Sequence, residues 1–257
     1  MLLRGLLRPV EYIRPVRYSI LRDDVKPVSA GGGLSVLHLF DDSIGCEMFA
    51  QRVLRFEPGP GEELTAAGLD EVLYVLSGSG FVSIDGRRAA IAPGTGIHVS
   101  QGCRWAVEAL DELEVLAVAV RDPEPVAAGT QAVVDLEAID KGTATAGRQF
   151  TLGICPGTGC PSVTQFIGYI PPGRAPDHFH RYDEVIYILE GQGTLHIGGE
   201  EAPLHPGACV HLPRLLVHSL ENSGEGELRL LGVFRPGGSP AEAYYPDGTP
   251  AVYPEES

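Results

Sequence analysis

The chain has 257 residues, of which 44% are hydrophobic and 21% are charged, and this length suits one large domain or two small ones. Its formal net charge of −15 repels phosphate backbones, which argues against a nucleic-acid partner. No segment approaches the roughly 18 apolar residues of a membrane span, and the five cysteines suit a reducing compartment, so we expect a cytoplasmic protein without a membrane partner.

The segment 1–39 is predicted to form an N-terminal arm. Basic side chains outnumber acidic ones from its start to Lys26, at Arg4, Arg8, Arg14, Arg17, Arg22 and Lys26 itself. The remainder of the chain is acidic, so an arm of one subunit could pair with the body of another, and we expect a homodimer. A solvated and frayed terminus is the alternative interpretation.

Beyond the arm, short runs of Val, Ile, Leu and Tyr alternate with Gly and Pro, which is the pattern of an all-β sandwich or barrel. The chain also matches itself. An offset of 113 in the numbering places Glu71 on Glu184 and His98 on His211, and an offset of 114 places Cys46 on Cys160. We therefore predict two copies of one β unit, with the bounds 40–121 and 150–235, joined by a linker over 122–149 and followed by a tail over 236–257.

Candidate metal ligands are concentrated in the second copy. His178 and His180 are separated by a single residue, so on a strand they face the same side. On a straight strand Glu184 would lie roughly 20 Å from His178, so the chain must turn at residues 181–183 for both to reach one ion. His218 comes from a separate strand. Imidazole and carboxylate suit iron, manganese, nickel or zinc, and we predict one such divalent ion per chain.

These residues resemble the two motifs of the cupin superfamily, G-x5-H-x-H-x3-4-E-x6-G and G-x5-P-x-G-x2-H-x3-N. The second copy also has the motif residues Gly191, Gly207, Pro213 and Asn222 in position. It departs from the motifs twice, because four residues instead of five separate Gly173 from His178, and Leu215 stands where the second motif has glycine. The resemblance implies an all-β chain of two tandem cupin barrels, each a double-stranded β-helix or jelly roll.

The first copy has lost the histidines of the motifs. Thr65 and Ala67 stand at the positions of the first two, and Trp105 stands at that of the third, while Glu71 is retained. One carboxylate cannot hold a metal alone, and an indole is large enough to fill the space of an ion and its water. We therefore expect the metal in the second barrel only.

The set of three histidines and one glutamate resembles that of cupin dioxygenases, such as those acting on flavonols and acireductones, and that of oxalate-degrading cupins. This resemblance implies a metal-dependent, dioxygenase-type enzyme acting on a small enolizable carbonyl compound or organic acid. Glu184 would serve as a metal ligand, or leave the ion and act as the catalytic base. Arg174, Tyr182 and Arg214, beside the motifs, are candidates for binding the substrate.

Two alternatives of other classes remain open. The tandem layout and the single metal site are similar to those of ureidoglycine aminohydrolases, which would make the chain a metal hydrolase. That family, however, uses an E-x-H-x3-H set with a later glutamine, and the ligand types are permuted here. The second alternative is a non-catalytic cupin that binds a sugar or another small ligand.

Overall fold

The computed structural model of the chain describes residues 17–124, 132–144 and 147–251. Within these ranges the regular structure is almost entirely β, with four short 3-10 turns at Arg22–Asp24, Asp42–Ile44, Leu136–Ala138 and Pro156–Thr158. None of the described residues belongs to a helix that is long and apolar enough to cross a membrane.

Twelve of the described strands precede the predicted linker: β1 Ser19–Leu21, β2 Val28–Gly31, β3 Leu34–Phe40, β4 Phe49–Phe56, β5 Gly59–Pro60, β6 Leu64–Thr65, β7 Asp70–Ser77, β8 Gly80–Ile84, β9 Arg87–Ile91, β10 Thr95–Val99, β11 Arg104–Ala109 and β12 Leu113–Val120. Eleven more lie within or after the predicted linker: β13 Val133–Asp135, β14 Gly142–Thr143, β15 Gln149–Leu152, β16 Thr164–Ile170, β17 Gly173–Arg174, β18 Asp183–Glu190, β19 Gly193–Ile197, β20 Glu200–Leu204, β21 Ala208–Leu212, β22 His218–Asn222 and β23 Leu228–Arg235.

Two sheets face each other in each half of the molecule. The first half combines a seven-stranded sheet, in the order β13-β10-β7-β12-β4-β3-β2, with a smaller sheet in the order β5-β11-β8-β9, in which β6 also pairs with β11. The second half combines β1-β21-β18-β23-β16-β15-β14 with β17-β22-β19-β20. The predicted fold class is thus confirmed: the chain is all-β and forms two jelly-roll barrels in tandem.

Equivalent residues of the two copies hold equivalent places in the sheets. Glu71 on β7 faces Val99 on β10, and Glu184 on β18 faces Leu212 on β21, at the predicted offset of 113. Trp105 faces Ile84 in the first barrel. At the same offset, His218 faces Ile197 in the second.

The predicted arm and linker are built into the sheets. Strand β1, from the arm, joins the second barrel by pairing Ser19 with Val210. Strand β13, from the linker, joins the first barrel in the same way, by pairing Val133 with Ile97. Such short strands carry too little alternation to stand out in a sequence, but they occupy sheet edges that would otherwise expose unpaired N–H and C=O groups. Residues 1–16 of the predicted arm lie outside the described residues.

Three hydrophobic clusters form the core. One fills the first barrel, a second fills the second barrel, and a third lies between the barrels and draws on both, with Phe49 from one side and Val185 from the other. A pair of equivalent glutamines crosses this interface. The Nε2 of Gln165 donates to the carbonyl of Leu73 over 3.0 Å, and the Nε2 of Gln51 donates to the carbonyl of Ile186 over 3.4 Å. The barrels are therefore packed against each other through a buried, pseudo-symmetric surface.

Candidate metal centre

Three histidines that are candidate ligands in the sequence converge inside the second barrel. His178 and His218 pair through both backbone hydrogen bonds, at 3.0 and 2.8 Å, which brings the first motif against the start of β22. His180 follows on the same segment, and one nitrogen of each of the three rings lies within 4.8 Å of the others. All three side chains are buried. The predicted ligands from two distant segments thus meet at one point.

The outer nitrogen of each ring is held by a backbone carbonyl. The Nδ1 atoms of His178, His180 and His218 lie 2.8, 2.8 and 2.9 Å from the carbonyl oxygens of Pro176, Glu242 and Leu216, respectively. A carbonyl can only accept, so each Nδ1 carries the proton and each Nε2 presents a lone pair. This is how metal-binding histidines are oriented in proteins.

The inner nitrogens meet the requirements of a divalent ion. The Nε2 atom of His218 is buried without a hydrogen-bond partner, although a buried polar atom is normally paired. Burial lowers the pKa of His180 to about 3 and also lowers the pKa values of His178 and His218, so the rings are neutral near pH 7. The three histidines therefore fit a transition-metal ion, which needs unprotonated imidazole.

Glu184 lies in the same pocket but beside the histidine cluster. The chain bends at residues 181 and 182, and Glu184 is the second residue of β18, close to the predicted turn. Its carboxylate oxygens are not within 4.8 Å of all three histidine nitrogens. Burial raises the pKa of its carboxyl to about 8, and the nearby Arg148 opposes this shift. Its role as ligand and base remains a prediction.

The glutamate has room only because a glycine faces it. Gly232 on β23 pairs with both Ile186 and Phe166 on its neighbouring strands. A Cβ atom at Gly232 would lie 2.8 Å from Oε1 of Glu184 and would also collide with the ring of Phe166. Glycine in this strand thus marks a close approach of functional side chains to the backbone.

The residues predicted to bind substrate separate into two groups. Tyr182 lines the pocket, but its ring is stacked between His180, at 4.5 Å, and Phe234, at 4.0 Å. Arg174 is exposed and donates to Asp177 over 2.9 Å, and Arg214 is exposed as well. Neither arginine belongs to the pocket wall. Tyr182 therefore supports a histidine, while the two arginines lie on the surface.

Arg148 is a pocket residue that the motifs did not reveal. It precedes β15 and lines the pocket, and its Nη2 donates to the carbonyl of Leu220 over 3.3 Å. Its charge contributes to lowering the pKa values of all three histidines. The duplication offered a signal, because the offset of 114 aligns Arg148 with Leu34, a cation where the first copy has an apolar residue.

The pocket itself is small and largely apolar. It encloses a cavity of about 80 Å³. Besides the polar residues described above, its wall includes Phe150, Phe166, Ile170, Ile186 and Leu230. Such a wall keeps bulk water away and strengthens the electrostatic influence of an ion or a charged side chain.

The C-terminal tail completes the centre from outside the barrel. Tyr244 pairs with the backbone of Phe179 over 2.9 and 3.0 Å, and the two rings stack at 5.6 Å. The guanidinium carbon of Arg181 lies 4.0 Å from the centre of the Tyr244 ring. This pairing holds the carbonyl of Glu242 against His180. The tail is thus part of the support of a candidate ligand.

A second cluster with metal-binding side chains lies between the barrels and behaves differently. Nε2 of His98 lies 3.1 Å from Oδ2 of Asp70 and 3.5 Å from Sγ of Cys160, all three residues being buried. The Nδ1 atom of His98 has no hydrogen-bond partner, so the support seen at the other three histidines is missing. We interpret this cluster as a hydrogen-bonded contact between the barrels.

Comparisons with known proteins agree with this architecture. The family model described as Cupin domain matches residues 166–234. Quercetin 2,3-dioxygenase of Bacillus subtilis (strain 168) is 40% identical over 65 residues, which are 25% of this chain and 19% of that protein. The oxalate-binding protein of Thermotoga maritima is 35% identical over 66 residues, 25% of this chain and 54% of that protein. The matched residues therefore cover less than a fifth of the length of the first relative and just over half of the length of the second.

Among solved structures, a mutant of Bacillus subtilis oxalate decarboxylase superposes with a TM-score of 0.72 at 15% identity, covering 87% of this chain and 78% of that one. A structure from work on the Mn(II) centres of the same enzyme gives a TM-score of 0.71 at 14% identity, with coverage of 87% and 78%. At such identity the likeness concerns the fold. It extends over both barrels, whereas the family model covers only the second.

Proposed function

The chain belongs to the cupin superfamily as a bicupin, and on this premise we propose that it is a metal-dependent enzyme of the dioxygenase type. Its substrate would be a small organic acid or enolizable carbonyl compound. The observation that carries the proposal is the convergence of three Nε2 lone pairs in a buried pocket beside a carboxyl group. A purely structural ion would not need an adjoining cavity.

Each part of the pocket has a role in the proposed reaction. His178, His180 and His218 would hold one divalent ion, with Glu184 as a further ligand or as the base. Iron, manganese or nickel bound there would supply a positive centre for substrate oxygens and an adjacent position for dioxygen. Without a metal, burial raises the pKa of Glu184 to about 8; beside a bound ion, this carboxyl group would be the one positioned to take up and return a proton. The apolar wall excludes water from the reacting atoms.

The comparisons support this proposal and keep its rivals in view. A dioxygenase is among the relatives and an oxalate decarboxylase among the structural neighbours, which favours oxygen or carboxylate chemistry. The oxalate-binding relative keeps the non-catalytic alternative open. A hydrolase would need a base beside a metal-bound water, and Glu184 is the one carboxyl among the described residues of the pocket wall.

The test is dioxygen uptake by protein loaded separately with iron, manganese, nickel or zinc, against a panel of enols, diketones, organic acids and flavonols. We expect uptake with at least one redox-active metal, and none by the variant His178→Ala/His180→Ala. Ammonia release from ureido compounds without dioxygen uptake would move the assignment to the hydrolases. Tight binding of an unmodified ligand, with both assays silent, would establish a binding protein instead.

The predicted homodimer and the cytoplasmic location stay predictions. The homodimer is checked by light scattering in dilute solution. A mass near 27.3 kDa, that of a single chain, would contradict it.

A further inference from the structure

Arg148 is the feature of the pocket that identifies a class of substrate. We propose that it makes the cavity a carboxylate-binding site, selective for 2-oxo or 2-hydroxy acids with a small apolar side chain. The inference rests on the proposed function, because it places the second oxygen of the acid at the ion held by the histidines. Of the substrates proposed above, a small organic acid or an enolizable carbonyl compound, it selects the acid.

Arg148 is held inside the pocket, close to a candidate metal ligand. It is the one Lys or Arg among the described residues of the pocket wall. Its Nη2 donates to the carbonyl of Leu220, and Leu220 lies on β22, shortly after His218 on the same strand. The backbone carbonyl of Arg148 accepts a hydrogen bond of 2.8 Å from Ala144. The guanidinium is thus fixed to the strand that carries a metal ligand.

The chemistry of a guanidinium suits a carboxylate. It carries five N–H donors in one plane, an arrangement that matches both oxygens of a carboxylate. Arg174 differs, because its guanidinium lies at the exposed surface, where it bonds to Asp177, and is not part of the pocket wall. Within the pocket, Arg148 is therefore the side chain that can bind a carboxylate in this manner.

The balance of charge points to an anion. A divalent ion and Arg148 together bring three positive charges to the pocket, and Glu184 is the one carboxyl among the described wall residues. The pocket stays positive even when Glu184 is ionised. A chain with a formal net charge of −15 repels anions over most of its surface, so this local excess is where an anion gains most.

The wall of the cavity defines the remainder of the ligand. Beyond the polar groups it consists of Phe150, Phe166, Ile170, Ile186 and Leu230, which suits an apolar substituent. Because Arg148 and the histidines line the same pocket, the proposed acid would place its carboxylate on Arg148 and the oxygen of its neighbouring carbon on the ion. The first barrel has neither feature, since Leu34 replaces Arg148 and the histidines are missing.

The experiment uses the full chain loaded with Co(II), whose visible spectrum reports on ligands at the ion. The probes are 3-methyl-2-oxobutanoate, its 2-hydroxy analogue and the methyl ester of each. We expect the acids to change the spectrum and raise the melting temperature, and the esters to bind at least about tenfold more weakly. Arg148→Met should weaken the acids by at least about tenfold and leave the esters unchanged, and Arg148→Lys should be intermediate.

Arg174→Met is the matched control and should behave as the unaltered protein. Equal binding of acid and ester, unchanged acid binding by Arg148→Met, or no binding of either acid would overturn the inference. Metal content is measured on every sample. Failure to bind Co(II) at all would instead count against the proposed function, and retention of Co(II) by Arg148→Met shows that this variant is folded.

Discussion

The two barrels keep the same buried glutamate and surround it with different partners. In the first barrel, Nη2 of Arg52 lies 2.7 Å from both carboxylate oxygens of Glu71. In the second, Phe166 stands at the position of Arg52. Arg52 pairs with Ala117 on the last strand of the first barrel, and Phe166 pairs with Gly232 at the equivalent position of the last strand of the second. The first barrel therefore holds its glutamate in a direct ion pair, whereas the carboxyl group of Glu184 shares a pocket with the three histidines, where a metal ion can complement it.

This difference extends to the space around the glutamate. Trp105, which is 4% exposed, stands where the second barrel has His218. An arginine and an indole make the first barrel a self-sufficient core, while three histidines and a glycine leave the second with a cavity. We infer that the first barrel acts as a packing partner, which contributes its surface and β4 to the shared interface, and that the chemistry belongs to the second.

The largest effect, a loss of bound metal, is expected when histidines of the second barrel are removed, since the first barrel has none at the equivalent positions. His178→Ala/His180→Ala removes two of three imidazoles, and the remaining His218 cannot hold an ion tightly, so metal content should fall from about one per chain to nearly none. Elemental analysis after dialysis is the measurement. His205→Ala, in the same barrel but outside the pocket wall, is the control. Full occupancy in the double variant would refute the assignment of the site.

Removal of the tail should have the next largest effect, because only the second barrel uses it to orient a ligand. A chain ending at Gly238 lacks the Glu242 carbonyl that accepts from His180 and the Tyr244 pairing that positions it. Loss of such support typically lowers metal affinity by about 10–100-fold. Competition with a chromogenic chelator measures this. A chain ending at Ala251 retains the tail contacts and should bind as tightly as the full chain.

Part of this architecture could be predicted from the sequence, and part of it could not. The fold and the three histidines were accessible because a duplication, a same-face spacing and a turn requirement each leave a mark on side-chain types. The Glu242 carbonyl left none, because a backbone oxygen of an irregular segment has no side-chain signature. Arg148 was missed because it approaches from a segment well before His178 in the chain, outside both motifs. Short edge strands such as β1 and β13 were missed because pairing, not alternation, defines them.

The first barrel offers a third comparison, through its internal counter-charge. Arg52→Met leaves the carboxylate of Glu71 buried without its cation, and we expect the free energy of unfolding to fall by about 2 kcal/mol, less than for a fully buried pair. Glu71→Gln in the same chain should recover most of this loss, as a double-mutant cycle in urea would show. Metal content should not change. A neutral effect of Arg52→Met would mean that the pair does not replace an ion.

The smallest expected effect is on the pH dependence of the free energy of unfolding, and it concerns Glu184. In the metal-free protein burial raises the pKa of Glu184 to about 8, against an ordinary value of 4.5. Between these pH values the folded state binds a proton that the unfolded state releases, so the free energy of unfolding must fall as pH rises through this window. Thermal melts of metal-free protein at pH 5, 6, 7 and 8 measure the slope.

Glu184→Gln cannot ionise, and its melting temperature should therefore decline less over the same range. The histidines, whose pKa values are lowered, act in the opposite direction below pH 6.5, but they are the same in both proteins and cancel in the comparison.

Glu71→Gln is the control from the other barrel. Because Arg52 supplies a positive charge beside Glu71, this variant should be less stable than the unaltered protein. Co(II) should stabilise the unaltered protein most at pH 8, where the proton on Glu184 competes least with the metal ion. Equal slopes for Glu184→Gln and the unaltered protein would show that Glu184 is already ionised without a metal, and would remove the contrast between the two glutamates.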